Sequence, residues 1–257
     1  MSNDEVRRHC AEIDRCNQRG GRMLSVVDLI EAGTMDRGLA AYALAAVGGG
    51  ASFLIGALPG GAGKTTVMGA LLEFVPRDVE LMAADGLATI EQAKASPRRY
   101  CFICHEIGSG PYYAYLWGEA LRAYFELPEA GHTLATNLHA DTYPQAHDQI
   151  CGDNGVTEAA LRRVNLMFFL SVRRRGGQTR RRIEDVWESN GRESHRRVFS
   201  MDGGGSLPES TELVGPDEMA RAREIIDRLM AEGARTIDDA RAMILEMMEP
   251  QNRRGAE

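Results

Sequence analysis

Residues 51–68 carry the most informative pattern in the chain, ASFLIGALPGGAGKTTVM. The pattern begins with an apolar run typical of a buried strand and ends with residues typical of a helix. The loop between them contains three glycines and is followed by Lys64 and Thr65. A strand, a glycine-rich turn and a helix in this order direct backbone N–H groups towards a bound anion. The pattern therefore predicts a phosphate-binding loop.

The predicted ligands of this loop are the phosphates of ATP and a Mg²⁺ ion. Lys64 would reach the β- and γ-phosphate oxygens, and the Thr65 hydroxyl would be a Mg²⁺ ligand. Lys64 is one of only two lysines in a chain that otherwise uses arginine, and it stands at the one place where a compact ammonium must fit against phosphates. The alternative interpretation is a glycine-rich turn with a surface lysine. The predicted nucleotide contacts are Pro59, Gly60, Gly61, Ala62, Gly63, Lys64, Thr65 and Thr66.

The segments that follow the loop predict an α/β fold with a mostly parallel sheet. Apolar runs at residues 79–84, 100–104 and 133–138 read as buried strands. A helical pattern follows Lys64, and another covers residues 112–125, so strands alternate with helices. This alternation is typical of a parallel sheet with helices on both faces.

The chain is predicted to contain one main domain at residues 24–249. Within it, antiparallel strands joined by glycine-containing turns form an extension at about 165–205. A pair of helices is predicted at 216–249, because a proline opens the first helix and another proline ends the second. Residues 1–23 are predicted to form an N-terminal helix or extension, and residues 250–257 a disordered tail.

The composition excludes some classes of protein. A formal net charge of −7 argues against a protein that coats nucleic acid, which requires a basic surface. No apolar run reaches the roughly 20 residues that a membrane span needs, and the polar N-terminus does not resemble a signal peptide. The five cysteines are odd in number and scattered, which favours reduced thiols. The expected location is the cytoplasm.

A candidate catalytic acid follows the apolar run in RRYCFICHE, residues 98–106. A nucleotide hydrolase needs a carboxylate at the end of a second buried strand to order the attacking water. Glu106 occupies that position; the alternative is a Glu106 that merely starts a loop. Cys101, Cys104 and His105 also match the spacing of c-type haem attachment, but that attachment requires export. The cysteines are therefore predicted to be core residues.

Histidines flank the next apolar run, GHTLATNLHADT at residues 131–142. An imidazole at a strand end can hydrogen-bond a γ-phosphate and report its loss, and His139 is the predicted catalytic sensor. His132 is a second candidate in the same cluster, which also contains Thr136 and Asp141. The alternative for each histidine is a structural hydrogen bond. A zinc site is not expected in this cluster, because no second pair of ligands has useful spacing.

The order of these motifs resembles the ATPase family of type II/IV secretion and type IV pilus systems over about residues 24–249. The resemblance implies a RecA-like P-loop motor domain, a homo-hexamer, a membrane platform protein as partner and a cytoplasmic location at the inner face of the membrane. It also implies that Asp85 is what remains of the family's acidic box. The matching segments are MLSVVDLIEAGTMDRGLAAYALAAV at 23–47, the loop with Pro59, MAADG with Asp85, CFICHE with Glu106, GH with His132 and TNLHAD with His139.

The sequence departs from the family pattern in ways that bear on the rate of hydrolysis. Leu58 replaces the first loop glycine, so Gly60 and Gly61 are expected to supply the flexibility. No arginine follows Glu106, and the N-terminal domain that supplies arginines in the family is expected to be missing. Loss of such cations would cost orders of magnitude in rate. The sequence therefore leaves open an ATP-hydrolysing motor subunit, an accessory subunit that binds nucleotide with little hydrolysis and, less favoured, a nucleic-acid translocase or small kinase.

Two arginine runs, at 173–175 and 180–182, flank the turn at Gly176 and Gly177. The first interpretation is a solvated face of a hairpin. The second is a strip that contacts a neighbouring subunit or the phosphates.

Overall fold

The computed structural model describes residues 3–16, 22–175, 177–208 and 210–248. The predicted tail at 250–257 lies outside the described residues, as does part of the predicted N-terminal extension. Within the described ranges, an eight-stranded sheet runs through the molecule. Its strands are β1 (Phe53–Gly56), β2 (Val79–Ala83), β3 (Arg99–Ile107), β4 (Tyr115–Leu116), β5 (Thr133–Leu138), β6 (Leu166–Arg175), β7 (Gln178–Glu188) and β8 (Arg196–Ser200).

The sheet is mostly parallel, as the sequence predicts. Its strand order is β2-β3-β5-β1-β6-β7-β8, and the short β4 pairs with the end of β3. Strands β2, β3, β5, β1 and β6 are parallel, whereas β7 and β8 continue the sheet in antiparallel pairing. The parallel strands therefore end at one common edge, where β1 leads into the predicted phosphate loop.

Helices cover both faces of the sheet and create two separate cores. Phe53 and Ile55 of β1 belong to one core and Leu54 to the other, because successive side chains of a strand point to opposite faces. The helices are α1 (Asn3–Arg15), α2 (Val26–Glu31), α3 (Arg37–Gly48), α4 (Lys64–Leu72), α5 (Leu87–Lys94), α6 (Gly118–Glu126), α7 (Tyr143–His147), α8 (Glu158–Leu161), α9 (Pro216–Glu232) and α10 (Ile237–Met248). None of the helices in the described ranges combines the length and hydropathy that a membrane span requires.

The structure differs from the sequence prediction between β2 and β5. Residues 112–125 were expected to be one helix, but Ala114 has a positive φ of 54° and the next residues form β4. Helix α6 begins only at Gly118. Helix α5 was not expected, and it buries only Ile90 and Ala93, too few apolar positions to give a helical pattern.

A fully buried arginine joins the C-terminal helix to the end of α4. The guanidinium of Arg241, on α10, donates to the carbonyls of Leu72, Glu73 and Val75 at 3.2, 2.9 and 3.1 Å. The last carbonyls of a helix have no partner within the helix, and a guanidinium carries enough donors to satisfy several of them. Burial lowers the pKa of Arg241 to about 10, so the side chain stays charged at neutral pH. Arg241 therefore caps the helix whose first residue is Lys64.

Candidate functional site

The loop between β1 and α4 has the backbone geometry that phosphate binding requires. Gly61 and Gly63 have φ angles of 80° and 97°, in the left-handed region that favours glycine. Gly63 precedes α4 directly, and the first turn of that helix contains no acidic residue. Its first N–H groups have no acceptor within the helix and carry a partial positive charge. The loop and helix thus present an anion-binding surface.

Leu58 fits the loop without a glycine's conformational freedom. Among the described non-glycine residues, only Ala114 has a φ in the left-handed region, so Leu58 adopts an ordinary backbone conformation. Its N–H donates to Asp141 Oδ1 at 2.6 Å, which fixes the start of the loop against the segment after β5. The departure from the strict motif at this position therefore costs no backbone strain here.

Lys64, Glu106 and His139 meet beside the loop, although α4, β3 and the end of β5 supply them separately. Lys64 Nζ lies 3.3 Å from Glu106 Oε2 and donates to the carbonyl of Ala57 at 3.2 Å. It also lies 3.3 Å from His139 Nδ1. If the ammonium donates to Nδ1, the imidazole proton is on Nε2, which faces Glu106 Oε2 at 3.7 Å. The three predicted catalytic side chains form one contiguous group.

An irregularity in β3 aims Glu106 at this group. The pairing of β3 with β5 shifts register between Cys104 and Ile107, and Glu106 pairs with Tyr115 of β4 instead. The Asn137 side chain donates to the carbonyl of His105 within the irregular segment at 2.9 Å. Bulges of this kind redirect a side chain and occur often beside active sites. Glu106 therefore lies inside a strand, not at the start of a loop, and β5 separates that strand from β1.

Burial and two neighbouring basic side chains act in opposite directions on the pKa of Glu106. The side chain is 7% exposed, and burial raises the pKa of its carboxyl, while Lys64 and His139 lower it. The net pKa is raised above the usual range of a glutamate. Its Oε1 has no hydrogen-bond partner among the described residues, which is costly for a buried acceptor. This oxygen can accept a hydrogen bond from a water molecule.

A cavity of about 550 Å³ adjoins the loop. Its volume lies within the roughly 300–1,000 Å³ of typical small-molecule sites. The loop and the three polar side chains described above are part of its lining. The lining also contains the apolar side chains of Met23, Leu24, Leu29, Val67 and Leu170.

Arg181 brings a further positive charge to the loop from β7. Its Nε donates to the carbonyl of Gly61 at 3.0 Å, and its side chain lines the same cavity as Lys64. A Cβ atom at Gly63 would lie only 3.2 Å from Arg181 Cδ, so the arginine packs closely on the loop. No carboxylate in the described ranges forms an ion pair with Arg181, whereas Arg173 pairs with Glu184 at 3.1 Å. The arginine run at 180–182 is evident in the sequence, but the separate position of Arg181 within it is not.

Two of the predicted site residues lie elsewhere. His132 precedes β5, and at about 3.3 Å per residue it is roughly 20 Å along the strand from His139. Its ring is buried, accepts from the N–H of Tyr100 at 3.3 Å and lies 3.0 Å from the carbonyl of Ala93. The structural alternative therefore applies to His132. Asp85 is exposed after β2, three strands from β1, and it is not part of the cavity lining.

The two cysteines of the haem-like spacing are core residues. Cys101 and Cys104 are buried inside β3, and burial raises the pKa of both thiols to about 12. Their side chains are inaccessible for covalent attachment of a cofactor while the sheet is folded.

No protein-family model matches the chain, and no curated protein matches its sequence. Among solved structures, the X-ray structure of the ATPase DotB from Yersinia pseudotuberculosis is similar over 80% of this chain, with 11% sequence identity and a TM-score of 0.41. The match covers 60% of the DotB chain. Functional conclusions for this chain therefore rest on its own residues.

Proposed function

We propose that this chain binds ATP with Mg²⁺ and hydrolyses it to ADP and phosphate. One observation carries the proposal: an anion-binding loop, Lys64 and a buried Glu106 line one cavity large enough for a nucleotide. The apolar side chains in the lining of the same cavity would pack against the base.

The loop and the start of α4 would hold the triphosphate. Loop N–H groups would donate to phosphate oxygens, and Lys64 would turn from Glu106 Oε2, 3.3 Å away, towards the β- and γ-phosphates. Thr65 lines the cavity one residue further along the helix, and its hydroxyl would be a Mg²⁺ ligand. When bound, the metal ion neutralises charge that develops on the phosphates.

Glu106 would orient the water that attacks the γ-phosphorus. Its unpartnered Oε1 would accept a hydrogen bond from that water, and its raised pKa suits a general base near neutral pH. As the bond to phosphorus forms, the proton of the water passes to the carboxylate and the bond to the ADP oxygen breaks. His139, half exposed beside Glu106, would donate to the γ-phosphate and respond to its release.

Replacing Arg181 with Ala is expected to lower the turnover number by about 100-fold or more, the typical effect of losing one donor that stabilises developing charge. Binding of Mg²⁺–ATP should weaken by less than about 10-fold, because Lys64 and the loop remain. Phosphate release and equilibrium binding of a fluorescent ATP analogue measure the two effects.

Arg180→Ala is the matched control for this prediction. Arg180 is the preceding residue on β7 and lines a different cavity together with Arg182 and Glu184, on the opposite side of the strand. Equal turnover of the Arg181 and Arg180 variants would contradict a role for Arg181 in hydrolysis.

A second candidate function is an accessory subunit that binds nucleotide without turning it over. It is favoured by the ion pair between Lys64 and Glu106, because a Glu106 carboxylate that stays paired with Lys64 would not orient the attacking water. A titration with Mg²⁺–ATP followed by a single-turnover assay separates the two functions. Binding with phosphate release supports the hydrolase, and binding without release supports the accessory subunit. Absence of binding would refute both.

We further propose that the chain works as an oligomeric motor subunit, a hexamer by family resemblance, at a membrane platform protein of a secretion or pilus machine. The free positive charge of Arg181 at an edge of the site is compatible with subunits packed around a nucleotide. Size measurements with and without Mg²⁺–ATP test this, and a monomer under both conditions would contradict it. Stimulation of hydrolysis by DNA would instead support the less favoured translocase.

A further inference from the structure

Three donor side chains of different chemistry converge on the segment that follows β5, outside the proposed nucleotide site. His147 ends α7, Cys151 lies in the π-helical turn Asp148–Asp153, and Glu158 begins α8. A nitrogen, a sulfur and an oxygen atom from these residues all lie within 4.8 Å of one another. The three residues form no recognisable motif in the sequence.

Local structure explains why the three residues meet. Thr142 caps α7, accepting from the N–H of Gln145, and Thr157 caps α8 in the same way. Between them the chain makes one π-helical turn, a rare conformation that occurs often at functional sites. His147 and Cys151 are four residues apart and therefore lie on one side of the continuous helical segment. The start of α8 then brings the carboxylate of Glu158 to this side.

We propose that His147, Cys151 and Glu158 bind a Zn²⁺ ion. Imidazole, thiolate and carboxylate are the three ligand types that zinc takes in proteins, and a mixed set including sulfur disfavours Mg²⁺ and Ca²⁺. Zinc–ligand bonds of 2.0–2.3 Å in a tetrahedron place the ligand atoms about 3.3–3.6 Å apart. Small changes of side-chain torsion bring the present atoms to this spacing. The fourth position of the tetrahedron is left for water.

The two nitrogens of His147 face two carboxylates. Nε2 lies 2.5 Å from Glu158 Oε1. Nδ1 faces Asp148 Oδ1 at 3.7 Å. In zinc proteins, a carboxylate behind the ligating histidine commonly orients the ring and fixes its tautomer. Asp148 is placed to do this while Nε2 and Glu158 Oε1 bind the ion.

Cys151 is the one cysteine of the five that is not buried. Burial of the thiol and the nearby Glu158 raise the pKa of Cys151 to about 11, so the thiol keeps its proton at neutral pH when no metal is present. Zinc binding would replace that proton, which would pass to the solvent. The donors are accessible to an ion, since His147 is part-exposed and Glu158 exposed.

A bound ion would cross-link α7, the π-helical turn and α8. This segment begins directly after Asp141, whose carboxylate holds the N–H of Leu58 at 2.6 Å. Zinc would thereby stabilise the segment to which the start of the phosphate loop is hydrogen-bonded. The site itself does not depend on whether the chain hydrolyses ATP.

Titration of the full chain with Zn²⁺ against a chromogenic chelator tests the proposal, with Co²⁺ as a spectroscopic substitute. We expect one tight equivalent of Zn²⁺, an upward shift of the melting temperature and a thiolate-to-cobalt charge-transfer absorption. Cys151→Ser should abolish the absorption. Cys151→Ser and His147→Gln, each as a single variant, should weaken Zn²⁺ binding by about 100-fold or more.

Asp153→Asn is the matched control, because Asp153 is exposed in the same π-helical turn but is not one of the three donors. It should bind Zn²⁺ as the parent does. Circular dichroism of the apo variants confirms that they fold. No tight binding by the parent chain, or equal binding by the Cys151 and Asp153 variants, would overturn the assignment.

Discussion

The Glu106→Gln variant is expected to bind Mg²⁺–ATP as the parent chain does, yet to hydrolyse it at least about 100-fold more slowly. Glutamine keeps the shape of the side chain but cannot accept the proton of the attacking water. It also removes a buried negative charge that opposes the phosphates, so affinity should not fall. Phosphate release under single-turnover conditions and equilibrium binding of the same nucleotide measure the two effects.

Glu224→Gln provides the control for charge removal alone. Glu224 is exposed on α9, outside the cavity lining, and its replacement should leave both measurements unchanged. If the Glu106 variant hydrolyses ATP at the parent's rate, the general base is a different group.

The Lys64→Ala variant is expected to bind ATP at least about 100-fold more weakly. Each factor of ten in affinity corresponds to roughly 1.4 kcal/mol of binding free energy. Lys64 is the main positive charge available to the β- and γ-phosphates, and its removal also leaves the buried Glu106 without its ion-pair partner. Lys64→Arg should fail as well, because a planar guanidinium with a fixed fork of donors does not reproduce the contacts of a compact ammonium at this position. Isothermal titration with Mg²⁺–ATP measures the loss.

The second lysine of the chain gives a matched control for the first. Lys94 is on α5, where it pairs with Glu91 and Glu126 at 2.9 Å each. The Lys94→Ala variant should bind ATP like the parent. Equal affinities for the two alanine variants would show that Lys64 does not contact the nucleotide. Melting curves of both variants separate lost binding from lost folding.

The sequence predicts a strand well where a local pattern of residues is enough to define it. The predicted run at 133–138 has the same first and last residues as β5. The strand is buried without interruption, and Gly131 and His132 before it and His139 after it mark its ends. Residues 100–104 identify β3 but not its full length. The register shift that carries Glu106 depends on pairing with β5 and β4, which are far away in sequence. Local periodicity contains no information about such pairing.

Strand direction explains why His139 lies in the site and His132 does not. Polar residues flank the apolar run of β5 at both ends, so the local pattern does not distinguish them. In a parallel sheet only the carboxyl ends of the strands meet the phosphate loop, and only His139 is at that end. Asp85 also follows the carboxyl end of a strand, but β2 lies at the far edge of the strand order. Strand order is a property of the whole fold.

Arg181 shows what the register of a hairpin adds. Three consecutive arginines on β7 look equivalent in sequence, but alternation along a strand points Arg181 to one side and its neighbours to the other. The pairing of Val172 with Arg181 then sets how far the hairpin reaches over the loop. Only this non-local register brings one arginine of the run to Gly61.

The buried guanidinium of Arg241 links the end of α4 to α10. The first turn of α4 would contact the phosphates, while the carbonyls at and just after its last turn are hydrogen-bonded to Arg241 of α10. A shift of the first turn of α4 would therefore be transmitted along the helix to α10. Exchange of ATP for ADP would therefore have a direct mechanical route to the C-terminal helix and to the surface that this helix presents.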